Sequence, residues 1–320
     1  RDSLWSLGES VPDRIARGAP PHVRVVQSHD RATFLRFLPE ATVLFSWALP
    51  RRDFVAARSL RWIHTPEGGA ENLLFPELVK SDVLVTNSRG VSSDAVADHA
   101  MALVLALARR LHDCMTAQKQ WIWARDLLWS GDVTPAALSG RTMLVLGTGS
   151  VGGAIAARSR AFDVRVLGYR RLDDGPAPEA FDRVGSGVDL EPLLREADIV
   201  VVALPRTRET EGLLDAERLA CCRPGTLLVN VGRGGLIEEK PLLEGLASGR
   251  IAGAALDVFD HEPLSRESPF WGHPRMILTP HVAGTEPRHM ERATDLFERN
   301  LVRFLDGETL INLVDKSVGY

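Results

Sequence analysis

The sequence predicts an α/β protein in which helices cover the faces of parallel sheets, arranged as two domains. Short apolar or β-rich runs alternate with helical patterns along most of the chain, which is typical of parallel strands joined by crossover helices. A length of 320 residues exceeds that of one average domain. The glycine pattern Gly147-x-Gly149-x-x-Gly152 lies between an apolar run and an alanine-rich helical pattern.

This glycine pattern predicts a turn that binds the pyrophosphate of a dinucleotide. An apolar run at residues 143–146 predicts the buried strand before the turn, and a further strand is predicted at 164–167. Gly147 would permit the sharp bend, Gly149 would let the backbone approach the phosphates, and Gly152 would let the helix pack on the strand. The helix N-terminus offers free N–H groups and a partial positive charge. The context of strand, turn and helix favours a ligand site over a connection without a ligand.

The rest of the chain continues the alternation of strands and helices. Before the glycine turn, strands are predicted at residues 23–26, 42–47, 60–64 and 83–86. After its second strand, they are predicted at residues 199–204, 226–231, 251–258 and 276–279. The dinucleotide-binding part would thus have the six strands of a doubly wound sheet. Helices are predicted at residues 31–38, 92–112, 190–196, 216–222, 241–248 and 288–307.

Composition excludes several classes of function. The chain is 45% hydrophobic and 25% charged with a net charge of -4, so it lacks the basic excess that binds nucleic acid or anionic membranes. Its apolar runs are too short to cross a bilayer. The three cysteines lack the spacing of metal ligands. Without a recognisable signal peptide, we expect a reduced, cytoplasmic protein that has no metal site.

Three tryptophans follow the long helix predicted at 92–112, which is apolar enough to be buried. These residues are Trp121, Trp123 and Trp129. They fit a hydrophobic core, but tryptophan is also enriched at the hot spots of protein interfaces. The sequence leaves both interpretations open.

Three polar residues follow predicted strands of the dinucleotide-binding part, where the ligands of open α/β sheets bind. Arg233 has the planar guanidinium that pairs with a carboxylate through two hydrogen bonds. His281 has a side chain whose ordinary pKa, near about 6.5, allows proton exchange at neutral pH. Glu262, if it lies beside that imidazole, would favour its charged form and fix its orientation. Each could be a structural residue alone, but together they predict a catalytic set.

A Gly-Gly pair, Gly68 and Gly69, follows an earlier predicted strand. Its backbone N–H groups could face an anion such as a carboxylate. Taken alone, such a pair is more often a simple turn. Its functional interpretation therefore depends on the rest of the chain.

Over nearly its whole length, the chain resembles the D-isomer-specific 2-hydroxyacid dehydrogenase family. The matching motifs are Val96-Ala-Asp98-His99-Ala, Gly147-Thr-Gly-Ser-Val-Gly152, Ala203-Leu-Pro205, Asn230-Val-Gly-Arg233-Gly-Gly, Leu256-Asp257-Val-Phe-Asp-His-Glu262-Pro and Thr279-Pro-His281-Val-Ala-Gly284. The resemblance implies a Rossmann-type doubly wound domain at residues 98–287. That domain would be inserted in a smaller, flavodoxin-like α/β substrate domain at residues 1–97 and 288–320.

The resemblance also implies roles for individual residues. His281 would be the catalytic acid/base, Glu262 its partner, and Arg233 the ligand of the substrate carboxylate and carbonyl. The substrate loop would include Gly68 and Gly69, beside Glu67, which stands where a small residue is common. Cofactor binding would involve Gly147, Gly149, Ser150, Val151, Gly152, Tyr169, Arg170, Arg171, Leu204, Pro205, Val231, Gly232, Asp257, His281 and Gly284.

Residues after the second dinucleotide strand predict which nicotinamide is used. An NAD enzyme normally has an acidic residue there for the ribose 2′-hydroxyl, whereas arginine accommodates a 2′-phosphate. Arg170 occupies that place, with Arg171 beside it. We therefore expect NADP(H) to be preferred, with NAD(H) possible if Asp173 or Asp174 reaches the ribose instead.

The implied reaction is hydride transfer between the nicotinamide and a small 2-oxo acid, with glyoxylate and hydroxypyruvate expected by analogy. Alternatives are a corepressor-like protein that senses NAD(H) and a dehydrogenase of another 2-hydroxy acid such as phosphoglycerate. Because the printed chain ends at Tyr320, an appended regulatory domain of a serine-regulated enzyme is not expected. A homodimer is expected through residues 98–110 and 121–129, as is usual in the family.

Overall fold

The computed structural model describes residues 10–130, 134–171 and 178–319. Tertiary contacts divide the chain into two compact units. Unit 1 comprises Arg1–Ser92 and Thr285–Tyr320, and unit 2 comprises Ser93–Gly284. Each unit contains its own parallel sheet, so the α/β class predicted from the alternating pattern is confirmed.

Unit 1 contains a three-stranded parallel sheet in the order β1-β2-β3. Its strands are β1 (Val43–Phe45), β2 (Trp62–Thr65) and β3 (Leu84–Asn87). Its helices are α1 (Ser10–Gly18), α2 (Arg31–Phe37), α3 (Arg51–Phe54), α4 (Pro76–Val79) and, from the C-terminal segment, α12 (His289–Leu305). Side chains of β2 alternate between the two faces of this sheet. Trp62 contacts Phe297 of α12 with ring centroids 5.1 Å apart, whereas Ile63 joins the core on the other face.

The strand predicted at residues 23–26 is wrong, because this segment forms no ladder. The Val23 N–H donates instead to the Pro20 carbonyl at 2.9 Å, which closes a turn at the start of the segment. Val25 packs against the core around Trp62 through its side chain alone. One half-buried valine of this run thus contacts a core without strand pairing, while Val26 is 40% exposed.

Unit 2 contains a seven-stranded parallel sheet in the order β10-β9-β8-β7-β4-β5-β6. Numbered within the unit, this is the 3-2-1-4-5-6 order of a Rossmann fold with one additional strand. The strands are β4 (Thr142–Leu146), β5 (Arg165–Arg170), β6 (Arg183–Ser186), β7 (Ile199–Val202), β8 (Thr226–Asn230), β9 (Ile251–Leu256) and β10 (Met276–Leu278). The expectation of six strands missed β6, an edge strand whose sequence Arg-Val-Gly-Ser has a single apolar side chain to reveal it.

Helices cover both faces of this sheet and bury its apolar strands in two cores. They are α5 (Ser93–Ala108), α6 (Leu111–Lys119), α7 (Arg125–Ser130), α8 (Ser150–Arg160), α9 (Leu190–Glu196), α10 (Ala216–Cys221) and α11 (Glu239–Ala247). The single helix predicted over 92–112 is wrong at its C-terminal end. Arg110 adopts φ +52° and separates α5 from α6. Helix α5 packs on α8 and on the sheet at β8 and β9, as its apolar sequence predicts.

Two glycines of the predicted dinucleotide motif allow β4, α8 and the loop after β7 to approach closely. Gly147 has φ +105°, and a Cβ there would lie 2.6 Å from the Ala203 carbonyl oxygen. A Cβ at Gly152 would lie 1.8 Å from the Gly147 carbonyl oxygen. Both distances are shorter than any van der Waals contact. These two positions therefore require glycine for packing, whether or not a ligand is bound.

The neighbouring Gly153 offers a matched control, because a Cβ there would meet no atom within 4 Å. We expect Gly152→Ala to lower the free energy of unfolding by more than about 2 kcal/mol through steric overlap. Gly153→Ala should be neutral or stabilising by up to about 1 kcal/mol, since alanine favours a helix over glycine. Chemical denaturation would measure both variants. Equal stability of the two alanine variants would contradict the packing role of Gly152.

Candidate active site

The glycine turn leaves room for a phosphate group at its second glycine. Nothing lies within 4 Å of a Cβ placed at Gly149, which is the N-cap of α8 and is exposed. Ser150 and Val151 open the helix, and the N–H groups of a first helical turn have no partner within the helix. The turn therefore provides the free donors and the open space that a pyrophosphate needs.

Four other predicted cofactor residues of unit 2 lie, like the glycine turn, at the carboxyl ends of the strands. Leu204 and Pro205 follow β7, and Val231 and Gly232 follow β8. A Cβ at Gly232 would lie 2.6 Å from the Leu204 carbonyl oxygen, so the two loops are in backbone contact. The order of the strands changes direction between β4 and β7. Doubly wound sheets bind their ligands at such a point, beyond the carboxyl ends of the strands.

The residues predicted to select the nicotinamide lie at the end of β5. Tyr169 donates its hydroxyl to the Gly187 carbonyl at 3.2 Å. Arg170 ends the strand, and the exposed Arg171 forms an ion pair of 3.4 Å with Glu209. Asp173 and Asp174, the alternative ribose ligands, lie outside the described residues. This end of β5 thus carries two adjacent arginines.

The three candidate catalytic residues follow the adjacent strands β8, β9 and β10. Arg233 follows β8, Glu262 lies in the loop after β9, and His281 follows β10. A Cβ at Gly234 would lie 1.9 Å from the Phe259 carbonyl oxygen, so the turn that carries Arg233 packs directly on the loop that carries Glu262. Because the strands are parallel, these residues, which are far apart in the sequence, all lie at the carboxyl ends of neighbouring strands.

Glu262 and His281 form a direct hydrogen bond of 2.7 Å between Oε2 and Nδ1. The other carboxylate oxygen of Glu262 accepts from the Phe259 N–H at 2.9 Å, which fixes the carboxylate. Because a carboxylate can only accept, Nδ1 of His281 carries the proton and Nε2 is the nitrogen left for a ligand. The His281 side chain is 49% exposed, so that nitrogen can be reached from solvent.

Asp257 holds the backbone around His281. Its side chain, 1% exposed, accepts from the Thr279 hydroxyl at 2.6 Å and from the N–H groups of Val282 and Ala283 at 3.0 Å each. The Asp257 carbonyl also accepts from the His281 N–H at 2.8 Å. His281 has φ +52°, a conformation that is unusual for a residue other than glycine. Asp257 thus fixes a turn that ends at Gly284 and aims the imidazole.

Asn230 does the same for the Arg233 turn, although the motif analysis assigned this asparagine no separate role. Its buried side chain donates to the Arg233 carbonyl at 2.9 Å and accepts from the Gly232 N–H at 3.0 Å. The Arg233 guanidinium donates back to the Gly232 carbonyl at 2.9 Å. An asparagine at the end of a buried strand is a signal that sequence reasoning could have used, because its amide needs partners.

Arg206, another residue without a predicted role, joins two of these loops. Its guanidinium pairs with Asp260 and Glu211, each at 2.6 Å, and lies against Gly235. These contacts tie the loop after β7 to the turn after β8 and the loop after β9. Nothing in the local sequence distinguishes this arginine from a surface residue.

In unit 1, the predicted substrate loop is fixed by a buried chain of hydrogen bonds. Trp62 Nε1 donates to the Thr86 hydroxyl at 2.8 Å, and this hydroxyl lies 2.7 Å from His64 Nδ1. His64 Nε2 lies 3.2 Å from the Ser88 hydroxyl, which donates to the Thr65 carbonyl at 3.1 Å. Burial lowers the pKa of His64 to about 3, so the ring is neutral.

The loop itself continues from this buried chain. Its Glu67 carbonyl accepts from the Ser88 N–H at 2.7 Å. Gly68 follows and is exposed, with no atom within 4 Å of a Cβ placed there, and Gly69 is half-buried. The loop is therefore anchored at Glu67 and open at Gly68.

Within the described residues, no group of three or more His, Cys, Asp or Glu side chains is arranged to hold a metal ion. None of the helices that the structure describes is both long and apolar enough to cross a membrane.

A family model and several known proteins are similar to this chain. Residues 101–283 match the family model described as D-isomer specific 2-hydroxyacid dehydrogenase, NAD binding domain. A glyoxylate reductase of Thermococcus kodakarensis is 37% identical over 299 residues, which cover 90% of this chain and 87% of that protein. A D-isomer specific 2-hydroxyacid dehydrogenase family protein from Aeromonas salmonicida has a TM-score of 0.82 and 33% identity, over 96% of this chain and 97% of the other.

An NADPH-dependent glyoxylate/hydroxypyruvate reductase from Sinorhizobium meliloti, solved with NADP and sulfate, is also similar. It has a TM-score of 0.82 and 27% identity, over 97% of this chain and 96% of the other. The match to the family model spans more than half of the chain, and it includes the glycine turn and all three candidate catalytic residues. The chain therefore belongs to the D-isomer-specific 2-hydroxyacid dehydrogenase family, whose members use a nicotinamide cofactor to act on the CH–OH group of their donors.

Proposed function

We propose that this dehydrogenase transfers a hydride between NADP(H) and a small 2-oxo acid/D-2-hydroxy acid pair, with glyoxylate or hydroxypyruvate as the acid that it reduces. The 2.7 Å hydrogen bond between Glu262 and His281 is the observation that carries this proposal. It provides an imidazole of fixed tautomer beside a turn that presents an arginine. Such a pair suits protonation of a carbonyl oxygen next to a carboxylate.

In this proposal, His281 donates its Nε2 proton to the carbonyl oxygen of the oxo acid. Glu262 accepts from Nδ1 and stabilises the positive charge that the ring carries before the transfer. The left-handed backbone at His281 and the contacts to Asp257 hold the ring in place, so little reorganisation is needed. In the reverse direction, the same nitrogen accepts the proton of the 2-hydroxyl group.

Arg233 binds the substrate carboxylate and carbonyl, and the N–H groups of Gly68 and Gly69 bind the carboxylate. Asn230 supports this assignment of Arg233, because it fixes the turn on which the guanidinium stands. The exposure of Gly68 supports the assignment of the loop. Unit 1 would then serve as the substrate domain and unit 2 as the dinucleotide-binding domain.

The cofactor would be held by the glycine turn and the start of α8, with Leu204, Pro205, Val231, Gly232, Asp257 and Gly284 along the same edge. When bound, it supplies the hydride. Arg170 and Arg171 would bind the 2′-phosphate of NADP(H) through charge-assisted hydrogen bonds. The S. meliloti relative, which is NADPH-dependent, supports this preference, and the glyoxylate reductase from T. kodakarensis supports the choice of substrate.

We further propose that the protein forms a homodimer. The side chains of Trp121, Trp123 and Trp129 are 96%, 90% and 81% exposed in the single chain. These values exclude the hydrophobic core of unit 2 as their place and leave the interface interpretation. A second copy of the chain would cover them, since large exposed aromatic side chains typically mark a contact surface. Light scattering that reports a monomer at micromolar concentration would contradict this proposal.

Oxidation of NADPH by purified protein, with glyoxylate, hydroxypyruvate, pyruvate and bulkier 2-oxo acids, tests the proposed function. We expect turnover with one or both of the first two acids. His281→Ala should lower kcat by about 10²- to 10⁴-fold, as is usual when a general acid is removed, while the Kd for NADPH stays unchanged. His261→Ala is a matched control, because this side chain is 96% exposed and lies in the same loop as Glu262.

Near-normal turnover in the His281 variant would remove this residue from the mechanism. Tight binding of NADPH without turnover on any acid in the series would contradict the proposed substrates.

Arg170→Asp tests the preference for NADP(H). Loss of a charge-assisted hydrogen bond to the 2′-phosphate should weaken NADPH binding by about 10- to 100-fold and leave NADH binding unchanged or improved. Arg165→Asp, at the opposite end of β5, makes the same change of charge and should leave the ratio of the two Kd values unchanged. Fluorescence titration with both nicotinamides would measure that ratio. If Arg170→Asp does not shift it, the assignment of Arg170 fails.

A further inference from the structure

A histidine of α5, His99, contacts the support of the catalytic turn. Its Nε2 lies 3.0 Å from the Thr279 hydroxyl oxygen and 3.5 Å from Asp257 Oδ1. The side chain is 22% exposed, so these contacts are largely shielded from water. His99 is separated from Thr279 by 180 positions in the chain, and the packing of α5 on the sheet brings the two together.

The direction of these hydrogen bonds follows from the donors available. The Thr279 hydroxyl has one hydrogen, which it donates to Asp257 Oδ1 at 2.6 Å. Its oxygen must therefore accept from His99, so Nε2 of His99 carries a proton. The two shortest contacts thus form an ordered path from His99 through Thr279 to Asp257, whose carboxylate also binds the N–H groups of Val282 and Ala283.

Helix α5 also forms ion pairs with α8, the helix that begins at the glycine turn. Arg158 of α8 pairs with Asp98 at 2.6 Å and with Asp94 at 3.0 Å, and both carboxylates belong to α5. His99 follows Asp98 directly in the chain. Two consecutive residues of α5 thus contact two parts of unit 2, the glycine-turn helix and the His281 turn.

We propose that His99 is a positioning residue for His281. It donates to Thr279, which orients the Asp257 carboxylate, and this carboxylate fixes the backbone on both sides of the catalytic imidazole. The inference rests on the proposed role of His281 as proton donor. His99 itself touches neither substrate nor cofactor in this scheme, so its removal affects the rate of turnover rather than the binding of either.

Leucine and glutamine at position 99 separate this role from simple packing. His99→Leu removes the donor, whereas His99→Gln keeps an N–H donor at a similar distance from the backbone. We expect His99→Leu to lower kcat by about tenfold, with KM for the oxo acid and Kd for NADPH within about twofold of wild type. His99→Gln should stay within about threefold of the wild-type kcat. His273→Leu, which removes another half-buried histidine of unit 2, serves as the control.

The path through Thr279 is tested by a double-mutant cycle. If His99 acts through Thr279, then His99→Leu should cost nothing further in kcat when Thr279→Val is already present. Additive losses would overturn this path. If His99→Leu does not fold, Thr279→Ser and Thr279→Val test the same link, since serine keeps the hydroxyl and should retain the rate that valine loses.

A readout without substrate separates this inference from the proposed function. In protein with ¹⁵N-labelled histidine, the ring signals of His281 can be identified among the nine histidines by their absence in His281→Asn. We expect His99→Leu to shift or broaden these signals and His99→Gln to leave them unchanged, whether or not any oxo acid is turned over. His281 signals in the leucine variant that superimpose on those of wild type would overturn the proposal.

Discussion

The arrangement of the candidate active site depends on one buried carboxylate. Asp257, at the end of β9, accepts hydrogen bonds from the Thr279 hydroxyl and from two backbone N–H groups that follow β10. A carboxylate at 1% exposure is costly unless such donors surround it. The donors it collects belong to the turn that contains His281. The need to satisfy one buried charge therefore determines the backbone conformation of the proposed proton donor.

A second constraint is the close approach of backbones along the same edge. Gly147, Gly152, Gly232 and Gly234 each lie so near a neighbouring carbonyl that a Cβ would overlap with it. These contacts join the turn before α8 to the loops after β7, β8 and β9. Because these loops are packed so tightly, their backbones have little room to move, and the hydrogen bonds of Asn230 and Arg206 hold segments that are already close together. The loops that would bind the cofactor and the loops that carry the candidate catalytic residues therefore form one continuous structure within unit 2.

Sequence alone predicted the parts of this structure that local pattern determines. Buried strands with apolar runs, such as β4 and β7, and helices with clear periodicity, such as α9, were located within a few residues. Two errors come from patterns that tertiary contacts overrode. The run at 23–26 places the half-buried Val25 against a core without strand pairing, and the edge strand β6 paired without an apolar run. Arg110 broke a helix through its backbone conformation, which the amino-acid type does not reveal.

The candidate catalytic residues could be predicted because each directly follows a strand and carries reactive chemistry. Their supports could not be predicted in the same way. Nothing local to His99 indicates that it reaches Thr279, and nothing local to Arg206 indicates that it joins Asp260 to Glu211. Such roles depend on distances between segments far apart in the chain. They become visible only when the sheet order and the packing of α5 are known.

The role of Asp257 is tested most directly by Asp257→Asn, measured as single-turnover oxidation of bound NADPH together with the Kd for NADPH. Asparagine keeps the shape but has one acceptor oxygen, so one N–H group of the turn would face another donor, at a cost of about 1–3 kcal/mol. If Asp257 positions His281, hydride transfer at saturating NADPH should slow by about 100-fold, beyond any weakening of NADPH binding that the loss of a proposed cofactor residue causes. A normal rate of transfer, or a loss explained entirely by weaker NADPH binding, would contradict this account.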